Sequence, residues 1–183
     1  MSDQTCSMEH VTSEELDAGL THIEGAPRDE GSVVMVVRRP AEDEREVLET
    51  ARLDPAVGLV GDSWADRRGD RPPETQLTIM SARSIALIAG PEERWPPAGD
   101  QVYVDFDLSE TNIPPGTRLN LGSAVVEVSD IPHTGCKKFS ARYGLDAWRW
   151  VNSPVGRSLN LRGINVRVVE PGEVAPGDVV KKA

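Results

Sequence analysis

The sequence predicts a mainly β protein, folded as a closed or partly closed β-barrel with several short helices. Seven short segments either alternate apolar and polar residues or form continuous apolar runs, and both patterns are typical of strands. Glycine and proline are plentiful, with 16 and 14 residues among 183, so many turns must join short elements. Strands and helices do not alternate repeatedly, which favours antiparallel pairing, and closure into a barrel would protect the strand edges.

The predicted strands are short and are bounded by turn residues. They lie at residues 31–37, 77–80, 102–106, 119–121, 124–128, 159–161 and 164–168. Gly122 and Ser123 form a two-residue turn between two of these strands, so the sequence predicts a hairpin there. Gly-Asp pairs recur at residues 61–62, 99–100 and 177–178, and we interpret them as shared turn chemistry.

Helices are predicted where apolar residues recur at helical spacing or where a capping residue precedes such a pattern. They lie at residues 12–19, 42–53, 81–89, 137–143 and 146–152. Gly144 separates the last two because it interrupts the helical pattern. Residues 65–74 are charged and proline-rich, and we interpret them as a loop that is either a flexible excursion or a lid.

The chain is long enough for one domain with a hydrophobic core. We expect residues 1–30 to form an N-terminal extension that is partly disordered, and residues 31–183 to form the barrel domain. The net charge of −10 disfavours a protein that binds nucleic acid or an anionic membrane surface. Cys6 and Cys136 lie far apart, which fits a reducing compartment and not a disulfide framework. Because we find no signal peptide and no apolar run of membrane-spanning length, we expect a cytoplasmic protein with no membrane partner.

Residues 132–139 carry the most reactive group that the sequence offers. Cys136 lies at the predicted junction between the hairpin and a helix, and Lys137 and Lys138 follow it. A helix N-terminus and nearby cations favour the thiolate, which is the form in which a thiol acts as a nucleophile or a metal ligand. The residues alone leave three roles open for Cys136, namely a persulfide carrier, a thiolate ligand of a metal, and an inert buried thiol.

His133 lies three residues before Cys136, close enough in sequence to serve as a base or as a partner that positions the thiol. A structural hydrogen-bonding role is the alternative. The spacing of Asp130, His133 and Cys136 superficially suggests a metal site. Tetrahedral zinc sites need a further ligand cluster, and the chain has no second Cys/His pair nearby, so no zinc is expected.

Several basic and polar residues are candidates for binding an anion, because guanidinium groups suit bidentate contacts to phosphate. They are Lys137, Lys138, Arg83, Arg118, Arg162 and Asn165. Each of these side chains could instead lie on a solvated face of a strand or helix.

The chain resembles a known family, most densely from about residue 99 to residue 180. The matching segments are residues 58–62, 119–128, 133–139, 142–147, 161–163, 171–172 and 176–178. This pattern is similar to the MOSC domain family, which comprises the C-terminal domain of molybdenum cofactor sulfurases and its stand-alone bacterial relatives. The present chain resembles the stand-alone bacterial type, although residues 67–72 replace a His-Gly-Gly segment that many such members carry.

The resemblance implies a barrel-like fold and places the single cysteine of the family on Cys136. In the family that cysteine is proposed to carry sulfur, or to ligate molybdenum in the reductase branch, and basic and polar groups nearby hold the pterin cofactor. Arg162 becomes a stronger candidate for binding an anion because it belongs to a matching segment. We therefore expect a molybdenum cofactor-binding protein that carries or transfers sulfur through Cys136, with His133 as a second catalytic residue.

Two alternatives remain open for the function. One is a molybdenum-dependent reductase of N-hydroxylated compounds, which would need a separate electron donor because the sequence has no flavin, iron–sulfur or haem motif. The other is a non-catalytic barrel whose surface binds another protein. The expected partners are the pterin cofactor or a small-molecule substrate, together with a sulfur donor or an electron-transfer protein.

Overall fold

The computed structural model describes residues 10–66 and 71–183, which contain eleven strands and five α-helices. The strands are β1 Glu30–Arg38, β2 Glu46–Leu48, β3 Ala51–Asp54, β4 Gly58–Leu59, β5 Leu77–Ser81, β6 Val102–Asp105, β7 Arg118–Leu121, β8 Ala124–Val128, β9 Ile164–Glu170, β10 Gly172–Val174 and β11 Val179–Lys182. The helices are α1 Ser13–Ala18, α2 Leu20–Glu24, α3 Ala82–Ala89, α4 Lys137–Asn152 and α5 Pro154–Ser158. Short 3₁₀ turns lie at Pro73–Thr75, Glu92–Arg94 and Pro96–Ala98.

Seven of the described strands close into a barrel. Around the barrel the order is β1, β6, β5, β9, β8, β7 and β11, and β11 pairs again with β1. Neighbouring strands are antiparallel, except that β5 and β6 are parallel and are joined by α3. β2 extends the sheet beside β1, and β10, β3 and β4 form a separate small sheet. The predicted barrel with short helices is confirmed, with one β-α-β unit that the sequence pattern did not predict.

The barrel wall separates two hydrophobic cores, because successive side chains of a strand point to opposite faces. On β6, Val102 and Val104 belong to the core inside the barrel, whereas Tyr103 belongs to the core between the wall and the helices. On β1, Val36 lies in the inner core and Val37 in the outer one. Because β1 is buried on both faces, its sequence reads as a continuous apolar run.

α1 and α2 precede the barrel and pack into its outer core. Thr12 and Glu15 form the predicted capping box, in which Thr12 N donates to the Glu15 carboxylate and Glu15 N donates to Thr12 Oγ1. Leu16 and Ile23 are buried in the outer core. Residues 1–9 of the predicted N-terminal extension lie outside the described residues.

Two predictions of secondary structure are wrong. Residues 42–53 contain β2 and β3 and no helix, because Ala51 and Leu53 are buried in the barrel core while Arg52 between them is exposed, which is the period of a strand. Residues 159–161 form a turn after α5 instead of a strand, and Asn160 there has a φ of 49°, a conformation that asparagine tolerates better than most residues. Of the predicted loop at 65–74, positions 67–70 lie outside the described residues.

α4 contains the sequence that was predicted as two short helices. At Gly144 the backbone has φ 91° and ψ 166°, so helical geometry is interrupted where the sequence predicts it. A Cβ atom at this position would lie 2.9 Å from His10.

Within the described ranges, no helix is both long enough and apolar enough to cross a membrane.

Gly163 and Gly177 allow a test of the contact between the start of β9 and β5. Both glycines have positive φ, at 101° and 91°, but a Cβ on Gly163 would lie 2.4 Å from the Ile79 carbonyl oxygen, whereas a Cβ on Gly177 would have nothing within 4 Å. We expect Gly177→Ala to lower the free energy of unfolding by about 1–2 kcal/mol. Gly163→Ala should lower it by about 3 kcal/mol or more, because the backbone of β5 must also move. Equal losses in urea denaturation would contradict this contact.

Candidate functional site

Arginines surround the 3₁₀ turn at Pro96–Ala98 and the residue after it. Four consecutive backbone carbonyls each accept a hydrogen bond from a different guanidinium group. The pairs are Arg45 Nε with Pro96 at 3.2 Å, Arg142 Nη1 with Pro97, Arg162 Nη2 with Ala98 at 2.9 Å, and Arg39 Nη1 with Gly99 at 2.9 Å. Four guanidinium groups thus converge on this segment, and aspartates pair with three of them, at Asp43, Asp62 and Asp100.

Two buried carboxylates balance two of these arginines. Asp62 Oδ1 lies 2.8 Å from Arg39 Nη2, and Asp100 Oδ2 lies 2.5 Å from Arg162 Nη1. The side chains of both aspartates are completely buried. Removing either arginine would leave a buried charge without a partner, which is strongly destabilising.

Two of the three Gly-Asp pairs that recur in the sequence contain these buried aspartates, Asp62 and Asp100. Gly61, Gly99 and Gly177 all have positive φ, which confirms their shared turn chemistry. The sequence interpretation missed that the aspartates after Gly61 and Gly99 are buried partners of arginines. Asp178 differs, because its carboxylate accepts a hydrogen bond from Ala175 N at 2.8 Å.

His133 faces the buried ion pair. Its Nδ1 atom lies 3.5 Å from Asp100 Oδ1, and neither atom has a hydrogen-bond partner among the described residues. Burial lowers the pKa of His133 well below its usual value, and the charges of Arg162 and Arg39 lower it further. Burial raises the pKa of Asp100, while Arg162 limits that rise.

His133 and Arg162 line a cavity of about 130 Å³. The loop after β8, α5 and the start of β9 enclose it, and Asn165 Nδ2 holds the loop by donating to Ile131 O at 3.1 Å. Its polar lining also includes Glu110, Asp130, Thr134, Arg157 and Asn160. Behind the cavity, the Arg162 guanidinium lies 4.9 Å from the centre of the Phe139 ring, which connects the cavity wall to the first turn of α4.

Cys136 lies at the N-cap of α4, at the predicted junction of hairpin and helix, and it is exposed. The preceding residue, Gly135, is anchored, because its N–H donates to Asn152 Oδ1 at 3.0 Å and its carbonyl accepts from Trp148 Nε1 at 2.8 Å. A fixed loop therefore presents the thiol to solvent. Cys136 is not among the residues that line the cavity that His133 faces, and the predicted pairing of His133 with the thiol stays a prediction.

Lys137 and Lys138 are exposed on the first turn of α4, beside the thiol. Lys138 Nζ lies 3.1 Å from Glu42 Oε1 and 3.9 Å from Asp43 Oδ1. These contacts join the helix to the turn between β1 and β2. The two carboxylates therefore compete with any anion that Lys138 would bind.

A second cavity, of about 340 Å³, adjoins this turn of α4. It is lined by Glu42, Asp43, Arg45, Ser63, Arg71 and Lys138. Burial lowers the pKa of Arg45, and the positive charges of Arg142 and Arg39 lower it further. Such crowding of cations is relieved when an anion binds among them. The sequence analysis did not identify Arg45 or Arg71, because no local pattern indicates that they approach α4.

Two other candidates for anion binding are engaged elsewhere. Arg83 Nε lies 2.6 Å from Asp105 Oδ1, and its Nη1 donates to a backbone carbonyl of α2 at 2.8 Å, so Arg83 joins α2 to the barrel. Arg118 Nε, on β7, lies 3.2 Å from Glu127 Oε2 on β8. Neither arginine lines either of the two cavities.

The family model for the MOSC domain matches residues 62–181. The chain belongs to the MOSC domain family. MOSC domains are associated with molybdenum cofactor binding in general. The matched residues do not include β1. In the structure β1 is nevertheless part of the barrel, because it pairs with both β6 and β11. A search of the curated proteins found no significant match.

Solved structures show the same fold. YuaD from Bacillus subtilis has 18% sequence identity to this MOSC domain and a TM-score of 0.56, over 82% of this chain and 94% of that chain. YiiM from Escherichia coli has 19% identity and a TM-score of 0.55, over 83% of this chain and 69% of that chain. A hypothetical protein has 20% identity and a TM-score of 0.58, over 85% of this chain and 68% of that chain. At these identities the likeness establishes the fold alone.

The residues of this MOSC domain fit a molybdenum cofactor beside α4. Cys136 offers an exposed sulfur, which suits a soft metal or the transfer of sulfur. Arg45, Arg71 and Lys138 line a cavity at the first turn of α4 and suit a phosphate group, although Glu42 and Asp43 line the same cavity. Among residues 10–66 and 71–183, no group of three or more His, Cys, Asp or Glu side chains could hold a metal ion alone. A metal that arrives within an organic cofactor does not need such a group.

Breaking the Arg162–Asp100 pair should destabilise the fold. Arg162→Met leaves the Asp100 carboxylate buried without a counter-charge, so we expect the free energy of unfolding to fall by about 3–5 kcal/mol. The double variant Arg162→Met/Asp100→Asn should recover part of this loss, because no buried charge remains. Arg118→Met removes an exposed pair with Glu127 and should cost about 1 kcal/mol or less. Urea denaturation measures all three, and equal stability of the single and double Arg162 variants would contradict the prediction.

Proposed function

We propose that this MOSC domain binds molybdenum cofactor beside the first turn of α4 and carries sulfur to it through Cys136. The observation that carries the proposal is the exposed thiol of Cys136 at the N-cap of α4, ahead of the helical turns that run up to the interruption at Gly144. A sulfur carrier must be reachable by a donor and by an acceptor, and an exposed position satisfies both. The N-terminus of a helix also stabilises anions, and the thiolate is the form that attacks sulfur.

The second cavity supplies groups that would hold the anionic part of the cofactor. Arg45, Arg71 and Lys138 line it, and the neighbouring wall is fixed because Ser63 N donates to Arg39 O at 2.8 Å. Arg39 is itself held by the buried Asp62. A bound cofactor would supply the molybdenum centre, and delivery of the outer sulfur of the Cys136 persulfide to it as sulfide would need two electrons from an external thiol, which would form a disulfide with Cys136. In this proposal Lys137 and Lys138 contribute positive charge at the approach to the thiol.

The sulfur step requires a donor that carries a persulfide. The Cys136 thiolate attacks the terminal sulfur of the donor, a new S–S bond forms on Cys136, the S–S bond of the donor breaks, and the donor leaves as a thiolate. The transferred sulfur keeps its hydrogen, and no further oxidant or reductant is consumed. His133 faces the other cavity, so in this proposal solvent takes the proton that Cys136 loses before the attack.

Substitution of Cys136 tests the sulfur-carrier role. Protein incubated with a small-molecule persulfide and analysed by peptide mass spectrometry should gain the mass of one sulfur atom on the Cys136 peptide. Cys136→Ser should abolish this gain, and Cys6→Ser, the matched control, should retain it. Wild-type protein from a host that makes the cofactor should contain molybdenum and a pterin. Wild-type protein with neither cofactor nor persulfide would refute the proposal.

The same thiol supports a second candidate function, the molybdenum-dependent reduction of N-hydroxylated compounds with Cys136 as a metal ligand. The observation that favours it is the His133 cavity, which lies on the loop leading to Cys136 and has room for a small substrate. Reduction of benzamidoxime by cofactor-loaded protein with a reconstituted electron-transfer chain distinguishes the two. Turnover without a persulfide on Cys136 favours the reductase, and a persulfide without turnover favours the carrier.

A further inference from the structure

One side chain binds both backbone groups of the residue that precedes Cys136. Asn152 Oδ1 accepts a hydrogen bond from Gly135 N at 3.0 Å, and Asn152 Nδ2 donates to Gly135 O at 3.1 Å. Trp148 Nε1 donates to the same carbonyl oxygen at 2.8 Å. A carboxamide can make both contacts because it carries an acceptor and an NH₂ donor side by side. We call this set of contacts, made by Trp148 and Asn152, the Gly135 clamp.

The Gly135 clamp joins residues that are distant along the chain. In an uninterrupted α-helix, a rise of about 1.5 Å per residue would separate positions 135 and 152 by roughly 25 Å. Helical geometry is interrupted at Gly144, and the hydrogen bonds between Gly135 and Asn152 show that the chain folds back there. The clamp therefore closes a compact unit that contains Cys136.

The packing at Gly135 leaves no room for a side chain. A Cβ atom at this position would lie 2.9 Å from Asn152 Nδ2, 3.0 Å from Val151 Cγ2 and 3.2 Å from Trp148 Cδ1. Asn152 Nδ2 also donates to Trp148 O at 3.0 Å. The carboxamide thus uses its acceptor and both of its N–H donors within the protein, which fixes its orientation.

The Gly135 clamp limits the motion of the thiol. The carbonyl of Gly135 and the N–H of Cys136 belong to one planar peptide unit, so Trp148 and Asn152 set the orientation of that unit. On the other side, Cys136 O accepts a hydrogen bond from Ser140 N at 3.1 Å. Because both peptide units that flank Cys136 are held, the sulfur atom moves mainly by rotation about χ1 among three staggered positions.

We propose that Asn152 is a positioning residue for the sulfur-carrier role of Cys136, on which this inference rests. Acting through Gly135, it confines the outer sulfur of a Cys136 persulfide to a few positions. This confinement favours delivery to a bound acceptor, because less conformational freedom remains to be lost at that step. Capture of sulfur from a small donor in solution does not depend on it, since the thiol is exposed.

NMR relaxation of ¹⁵N-labelled protein measures the confinement directly. We expect backbone order parameters of about 0.85 at Gly135 and Cys136 in the wild type, and values below about 0.6 in Asn152→Leu. Asn152→Asp keeps the acceptor for Gly135 N, so it should give intermediate order and keep this amide protected from hydrogen exchange. Ser153→Ala, the matched control, removes the side-chain cap of α5 and should leave the order at Gly135 and Cys136 unchanged.

Persulfide chemistry separates positioning from a purely structural role. Loading of Cys136 by a small-molecule persulfide should differ by less than about threefold between the wild type and Asn152→Leu, because access to the thiol is unchanged. The outer sulfur is then followed in the presence of an external thiol, and the rate of its loss without cofactor is subtracted from the rate with cofactor. This difference should be about tenfold or more smaller in Asn152→Leu than in the wild type or Ser153→Ala.

The two measurements distinguish failure of this inference from failure of the carrier role. Normal loading of Cys136 with unchanged order parameters in Asn152→Leu would overturn the inference alone. Equal slowing of loading and of cofactor-dependent loss would also overturn it, because a general structural defect affects both steps. A wild-type protein that gains no persulfide would overturn the carrier role and this inference with it.

Discussion

The buried ion pair of Arg162 and Asp100 is the interaction on which the site depends. Arg162 comes from the turn before β9, Asp100 from the turn before β6, and the guanidinium also packs on Phe139 of α4. One pair therefore fixes two barrel strands and the helix that begins after Cys136. Because buried charges are costly when they are unpaired, each partner holds the other in place. The same carboxylate then directs its second oxygen to His133.

The loop from His133 to Cys136 separates two environments with different chemistry. On one side, three basic side chains and two carboxylates line a cavity at the first turn of α4, namely Arg45, Arg71, Lys138, Glu42 and Asp43. On the other side, His133, Asn160 and Asn165 line a cavity together with Glu110, Asp130 and Arg157. An acidic protein can thus hold local clusters of basic side chains.

Sequence patterns predicted the parts of the structure that depend on local periodicity. The barrel, the hairpin at Gly122, the interruption at Gly144 and the start of a helix after Cys136 all follow from alternation, turn chemistry and helix boundaries. The exposure of the Cys136 thiol was not predicted. The segment at 42–53 was misread because its apolar residues also fit a helical face, and only pairing with distant strands decides between the two. The arginine contacts to residues 96–99, the burial of both aspartates and the two cavities arise from long-range packing, which no local pattern records.

The central claim is that the buried Arg162–Asp100 pair faces His133 Nδ1 at 3.5 Å, so the hydrogen of the neutral ring should lie on Nδ1, because a carboxylate accepts hydrogen bonds and does not donate them. The ¹⁵N chemical shifts of the His133 ring test this most directly. At pH 7 they should show a neutral ring with its hydrogen on Nδ1, and the ring should stay neutral as the pH falls below the usual value of about 6.5. In Asp100→Asn, Arg162 keeps the amide oxygen and the NH₂ group faces His133, so the hydrogen should move to Nε2. A wild-type ring that is protonated at pH 7, or that carries its hydrogen on Nε2, would contradict the account.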